Sequence, residues 1–160
     1  MLVATKGGYE DASPGVLHAE IEASLKALRT DAIGLYYLHK VHPGTPLEDS
    51  LGAIAEHVAK GDIRHVGISN ATLEQVEQAR GIVEIAAVQN HYSVAERGDD
   101  ALVDHTGAEG IVYVPYFPLR GGSGTNADKL RFLLDRAPHV LPIPGTLSLE
   151  HLQENLALVL

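Results

Sequence analysis

The sequence predicts an α/β fold with a parallel sheet, and three observations support this class. Apolar runs of strand length recur along the 160 residues. In most cases a turn and then a segment with helical spacing of apolar residues follow each run, and no linker or change of composition separates the units. Strands that alternate with helices are typical of βαβ units with buried, parallel strands. We therefore expect one domain over residues 1–160, built from successive βα units.

The apolar runs number about six, and each is short enough for a single strand. Two architectures fit such a series: a doubly wound open sheet, or part of a (β/α)8 TIM barrel. A closed eight-unit barrel normally takes ~250 residues, so six units are too few to complete one. The predicted strands are Leu2–Thr5, Ala32–Leu38, Ile63–Ile68, Ile85–Gln89, Ile111–Tyr116 and His139–Ile143.

Helix boundaries follow from capping residues and from the spacing of apolar side chains. Ser13 and Pro14 are typical of a helix start, Gly61 of a helix end, and Thr72 of an N-cap. The expected helices cover about 13–30, 46–61, 72–80, 99–110, 128–135 and 148–160.

Composition excludes several classes of function. The formal net charge of -9, without a basic stripe, argues against nucleic acid as a partner. Because the chain has no cysteine, it can form neither disulfides nor a thiolate metal site. Neither a leader sequence nor a long apolar run is visible, so we expect no membrane partner and a cytoplasmic location.

Polar residues stand where the predicted strands end, and in α/β folds the functional residues gather at the carboxyl ends of strands. Each residue alone has an ordinary structural explanation, such as a solvated lysine, a helix cap or a turn. Their occurrence at successive strand ends favours a functional site. The residues, in strand order, are Lys6; His39; Ser69 and Asn70; Gln89; Tyr116 and Leu119 ahead of a glycine-rich loop; and Gly145 and Thr146.

In these blocks the chain resembles the aldo-keto reductase family, NADP-dependent (β/α)8-barrel enzymes that reduce aldehydes and ketones. Any one block is weak evidence, but the blocks occur in family order along the chain. They are 3–7 (VATKG), 35–39 (LYYLH), 66–70 (VGISN), 88–93 (VQNHYS), 116–119 (YFPL) and 143–146 (IPGT), followed by Glu154 and Asn155.

The resemblance implies a partial barrel that holds strands three to eight of the family, and a reaction in which hydride passes between NADP(H) and a small carbonyl substrate. It implies catalytic roles for Lys6 and His39. NAD(H) stays open as the cofactor, because the chain has Gly145 and His151 where the family often has basic residues for the 2′-phosphate. The cofactor-binding residues implied are Ser69, Asn70, Gln89, Tyr116, Leu119, Gly121, Gly122, Gly145, Thr146, Glu154 and Asn155.

The family's catalytic aspartate and tyrosine come from two βα units that precede the segment matched here. The resemblance therefore implies an N-terminally truncated enzyme with little turnover, and the alternative is a non-catalytic nucleotide-binding or structural remnant. Tyr9 is the nearest replacement acid by sequence, but its place at a loop start gives no reason for the necessary geometry.

Nine histidines suggest a third interpretation, a barrel hydrolase with a metal ion. The sequence does not place a cluster of histidine or carboxylate ligands at the predicted strand ends, which argues against it. Missing units also leave two strand edges exposed, which predicts self-association.

Overall fold

The computed structural model describes residues 2–159 and has a parallel sheet whose strands alternate with helices, which confirms the predicted α/β class. Over residues 2–88 the strands lie side by side in the order in which they occur in the chain. The strands are β1 (Ala4–Gly7), β2 (Leu35–Leu38), β3 (Val66–Ser69), β4 (Ile85–Gln89) and β5 (Val112–Tyr113). The helices are α1 (Pro14–Leu28), α2 (Leu47–Lys60), α3 (Leu73–Arg80), α4 (Asp100–Ala108), α5 (Asn126–Leu134) and α6 (Leu149–Leu156).

The chain divides into two compact units, Met1–Val88 and Gln89–Leu160. The first unit carries β1 to β3, α1 to α3 and nearly all of β4. The second carries α4, β5, α5 and α6. A single domain over residues 1–160 stays a prediction.

The core of the first unit lies between its strands and its helices. Every residue of β2 and β3 is buried, as expected for strands covered on both faces. Leu17 and Ile21 of α1 and Leu51 and Ile54 of α2 are fully buried. The N-cap predicted at Thr72 is present. It forms a capping box, in which the Thr72 side chain accepts from the backbone N–H of Gln75 and the Gln75 side chain accepts from the backbone N–H of Thr72.

The second unit has less regular strand structure than the sequence predicts. The run His139–Ile143 is not a strand, and a single parallel bridge joins Val140 to Tyr113. Leu141 and Ile143 still donate to the carbonyls of Tyr113 and Pro115, but Pro115 has no N–H to donate back to this run, which explains why the ladder is incomplete. Among the described residues 2–159, no helix is long and apolar enough to cross a lipid bilayer.

A chain of hydrogen bonds joins the first two helices. His57, on α2 and buried, contacts the Asp62 carboxylate through Nδ1 at 2.7 Å and the Nδ1 atom of His18 on α1 through Nε2 at 3.0 Å. The other ring nitrogen of His18 lies 3.8 Å from the Glu56 carboxylate. This chain therefore links α1 to α2 and to the loop that leads into β3.

Replacing His57 with alanine is expected to lower the free energy of unfolding by about 2 to 3 kcal/mol, because it removes two partly buried hydrogen bonds and leaves a void at a buried position. Urea denaturation measures this change. His65→Ala is the matched control, because that side chain is exposed, and we expect an effect within about 0.5 kcal/mol. Equal losses in the two variants would contradict a structural role for the histidine chain.

Candidate active site

The ends of three neighbouring strands bring Lys6 and Ser69 together in the first unit. Lys6 pairs with Tyr37 in the register of β1 and β2, and Tyr37 pairs with Gly67 of β3. The Lys6 ammonium donates to the Ser69 hydroxyl at 3.4 Å and lies 5.3 Å from the centre of the Tyr37 ring. The predicted convergence of these strand ends is therefore present.

Asn70 connects the end of β3 to the end of β2. Its side-chain amide donates to the Ser69 hydroxyl at 3.2 Å and to the backbone carbonyl of His39 at 3.0 Å. Its backbone φ of 55° lies in the left-handed region, which asparagine tolerates better than most residues. Lys6, His39, Ser69 and Asn70 thus form one group.

Partial burial changes the proton affinity of both predicted catalytic residues. Burial lowers the pKa of Lys6 from its ordinary 10.5 to about 8. Burial also lowers the pKa of His39, and the charge of Lys6 lowers it further, whereas the charge of Glu20 opposes these effects. At neutral pH this group therefore offers a neutral imidazole beside an ammonium that can release its proton.

Three further residues lie at this group: Tyr9, considered above only as a replacement acid, His42 and Glu20. The ring of Tyr9 is 4.8 Å from the His39 ring and 58% exposed. His42 Nε2 lies 3.2 Å from the Gly8 carbonyl oxygen and 3.0 Å from that of Tyr9. The backbone N–H of Gly8 donates to the Glu20 carboxylate at 2.6 Å. Glu20 lies on α1 and not at a strand end. In the sequence, the only sign of its role is its place at the edge of the buried face of this helix.

In the second unit, Tyr116, Leu119 and Gly145 line one open cleft of about 680 Å³, together with Arg120. The Tyr116 ring stacks on His91 with centroids 5.5 Å apart and planes 13° apart. The remaining lining residues are Phe117, Pro118, Ile143 and Pro144. Two exposed or half-exposed aromatic rings and one guanidinium group thus face the same space.

The glycine-rich loop after this cleft has an unusual backbone. Gly121 and Gly122 have φ values of 66° and 72°, a region that residues with a side chain rarely adopt. A Cβ atom at Gly121 would also lie 2.9 Å from the Cβ of Ala95. The loop is exposed, and successive amides in such a conformation can bind an anion.

The other residues predicted to bind the cofactor do not share this cleft. The Thr146 hydroxyl accepts from the Ser148 N–H at 3.0 Å and shapes the start of α6. Glu154 is exposed, and Asn155 lines a separate, mostly apolar cavity of about 270 Å³ with residues such as Leu152. Gln89 is buried, with 6% of its surface exposed. Within residues 2–159 no three histidine or carboxylate side chains are grouped to hold a metal ion.

Comparison with known proteins decides the family. The sequence profile of the Aldo/keto reductase family matches residues 1–130. The chain belongs to this family. Pyridoxine 4-dehydrogenase of Escherichia coli (strain K12) is 39% identical to this aldo/keto reductase sequence over 168 residues, which cover 91% of the chain and 58% of the relative.

Two solved aldo-keto reductases resemble the fold along nearly its whole length. A thermostable aldo-keto reductase in complex with the inhibitor epalrestat has a TM-score of 0.92 at 30% identity, covering 99% of this chain and 65% of its own. An aldo/keto reductase from Klebsiella pneumoniae in complex with NADP and acetate has a TM-score of 0.85 at 27% identity. The match covers 100% of this chain and 65% of the Klebsiella pneumoniae chain. The chain therefore spans 58% to 65% of the length of these three relatives, which fits a partial barrel.

Replacing Lys6 with methionine is expected to raise the free energy of unfolding at pH 7. The gain over the wild type is expected to shrink as the pH increases. Because the pKa of Lys6 is about 8 in the folded chain and 10.5 ordinarily, the unfolded chain binds more protons between these values, and wild-type stability rises with pH across that window. Below pH 8 the partly buried Lys6 ammonium is charged and destabilises the fold to its full extent, and methionine removes this destabilisation.

Urea denaturation of both proteins at pH 7 and pH 10 measures the difference. Lys60→Met, on an exposed position of α2, controls for the loss of a positive charge. A Lys6→Met effect of the same size at both pH values would contradict the lowered pKa.

Proposed function

We propose that this chain carries part of the machinery for hydride transfer between NADP(H) and an aldehyde or ketone. The observation that carries the proposal is the group at the ends of β1 to β3, where the Lys6 ammonium, 3.4 Å from the Ser69 hydroxyl, has a pKa of about 8 and neighbours the His39 imidazole. Such a pair suits a reaction that places negative charge on an oxygen atom.

The cofactor proposal rests on the cleft of the second unit. Its aromatic faces suit a planar nicotinamide ring, and Arg120 together with the amides of Gly121 and Gly122 suits a pyrophosphate. Leu119 and Gly145 complete its walls. The Klebsiella pneumoniae relative was crystallised with NADP, which supports the same choice, with NAD(H) as the alternative.

The other predicted contacts remain part of the proposal. Ser69, Asn70 and Gln89 carry the polar groups that suit a carboxamide, and Thr146, Glu154 and Asn155 are proposed for the adenosine end. In the structure, Ser69 and Asn70 also hold Lys6 and His39, so these residues would serve two purposes. A cytoplasmic location also stays a prediction.

The chemistry divides between a bound cofactor and the side chains of this chain. When bound, the nicotinamide supplies or accepts a hydride. The neutral His39 imidazole can donate an N–H to a carbonyl oxygen, and the Lys6 ammonium stabilises the negative charge that develops there. With a pKa of about 8, the Lys6 ammonium keeps its proton at neutral pH and can transfer it to a nearby oxyanion.

A non-catalytic nucleotide-binding remnant is the second candidate. The cleft of the second unit favours it, because the aromatic rings and Arg120 that line this cleft suit a nucleotide without requiring a proton donor. Binding without turnover is the result that this candidate predicts.

Titrating the whole chain with NADPH and with NADH, followed by nicotinamide fluorescence, tests cofactor binding. We expect saturable binding of NADPH, and we expect Tyr116→Ala to weaken it by roughly tenfold, because stacking on an aromatic side chain contributes about 1 to 3 kcal/mol per ring. Absence of binding would reject both candidates.

Adding an aromatic aldehyde to the NADPH complex, and following nicotinamide absorbance, separates the reductase from the remnant. Lys6→Met is expected to lose at least roughly a hundredfold in turnover with little change in NADPH affinity, because the ammonium acts on the carbonyl oxygen. Turnover that survives this substitution unchanged would contradict the assigned role of Lys6.

Self-association is a further prediction. β1 is the first strand of the sheet order, with β2 as its neighbour, and the adjacent Leu2 and Val3 are 63% and 42% exposed. Edge strands pair readily with other chains. Sedimentation velocity is expected to show concentration-dependent dimers or larger species, and Val3→Lys is expected to suppress them. A single monomeric species at all concentrations would contradict the prediction.

A further inference from the structure

The turn that follows Lys6 is held by side chains from two other elements of the first unit. This turn, residues 7–9, directly follows the predicted catalytic lysine and ends at Tyr9, whose ring is exposed. Its backbone contacts Glu20 of α1 on one side, and on the other side the His42 side chain of the loop after β2. The position of Lys6 at the strand end therefore depends on groups outside its own strand.

Glu20 packs directly against this turn. Its carboxylate accepts from the Gly8 N–H at 2.6 Å, and hydrogen bonds to an ionised carboxylate are stronger than those between neutral groups. A Cβ atom at Gly7 would lie 2.6 Å from the same carboxylate oxygen and would clash with the Tyr36 hydroxyl. The absence of a side chain at Gly7 thus lets the carboxylate and the hydroxyl approach the backbone of the turn.

The same turn is bonded to the backbone of the predicted catalytic histidine. The His39 N–H donates to the Gly7 carbonyl at 2.8 Å, so the peptide between Lys6 and Gly8 connects to both predicted catalytic residues. The negative charge of Glu20 also raises the pKa of His39, against the larger effects of burial and of the Lys6 charge. Glu20 therefore acts on His39 both through the backbone and through its charge.

We propose that Glu20 is a positioning residue for the reductase site, which fixes the turn after Lys6 through the Gly8 amide and supplies the negative charge that balances Lys6 at His39. The meaning of this role for catalysis rests on the proposed function, whereas the hydrogen bond and the charge effect are properties of the fold. Nothing in the role requires Glu20 to touch the substrate.

The side chains around His39 and Glu20 determine which other groups affect the pKa of His39. Lys6 and Glu20 are the charged side chains that influence it, the Tyr9 ring contacts it, and the Asn70 amide binds its backbone carbonyl. Glu20 itself faces the Gly8 amide, and its charge raises the pKa of Tyr36. Removing the charge at position 20 alone should therefore leave Lys6 as the charged neighbour of His39.

The first test is the titration of His39 followed by NMR of its imidazole C–H in the whole chain. Glu20→Gln keeps an oxygen acceptor for Gly8 but removes the charge, so the midpoint of His39 is expected to move down. Glu22→Gln, an exposed position on the same helix, is the matched control and is expected to leave the midpoint unchanged. A midpoint that does not move in Glu20→Gln would overturn the charge role.

The second test is amide hydrogen exchange at Gly8. Glu20→Ala removes the acceptor, and the Gly8 amide is expected to exchange roughly tenfold faster or more, as for the loss of a hydrogen bond to a charged group. Glu20→Asp retains the charge on a shorter side chain, so it should speed exchange while keeping the His39 midpoint near that of the wild type. Unchanged exchange in both variants would overturn the positioning role.

Kinetics then separates this inference from the proposed function. If the wild type reduces an aldehyde, Glu20→Ala is expected to lower kcat by roughly tenfold with little change in KM, because misplaced groups cost rate more than binding. An unchanged kcat would show that the positioning by Glu20 does not contribute to turnover, and would overturn this part of the proposal. If the wild type shows no turnover, the proposed function fails, while the titration and exchange results still decide what Glu20 does.

Discussion

The backbone pairing between β1 and β2 determines where the predicted catalytic side chains lie. Lys6 pairs with Tyr37 and Gly7 with Leu38, and the next hydrogen bond, from the His39 N–H to the Gly7 carbonyl, continues the same ladder. Because side chains alternate between the faces of a sheet, a slip of one residue would move Lys6 to the opposite face. The grouping of Lys6 with Ser69 is therefore a consequence of strand register.

Register also explains the electrostatics of this group. Placing an ammonium at the covered end of a parallel sheet removes part of its hydration, which lowers the pKa of Lys6 to about 8. The neighbouring imidazole responds to the same burial and to the same positive charge, whereas Glu20 acts from the helix side. A chain that is acidic overall thus keeps one lysine in an environment that favours release of its proton.

Much of the fold was predictable because the signals are local. Apolar runs located the first five strands, and capping residues such as Thr72 marked helix starts. The grouping of Lys6, His39, Ser69 and Asn70 was predictable because parallel strands end at one edge, and their roles stay predictions. The sixth predicted strand does not form because Pro115, on the segment opposite it, has no N–H to donate, so the ladder between the two segments is incomplete.

Contacts that depend on tertiary packing were not predictable. Glu20 precedes the apolar residue Ile21 on α1, and nothing in its local sequence shows that its carboxylate reaches the Gly8 amide. The contact of Tyr9 with His39 and the separate cavity of Asn155 arise in the same way, from the packing of segments distant in sequence. Helical spacing gives the buried face of a helix but not the partner of a polar side chain at its border.

The central claim is that the fold brings Lys6 to a partly buried strand end where its proton is weakly held. Selective ¹³C labelling of lysine, with the Lys6 resonance assigned from the Lys6→Met spectrum, allows its titration to be followed by NMR in the folded chain. The account predicts a midpoint of about 8. A midpoint near 10.5, the ordinary value for lysine, would contradict it.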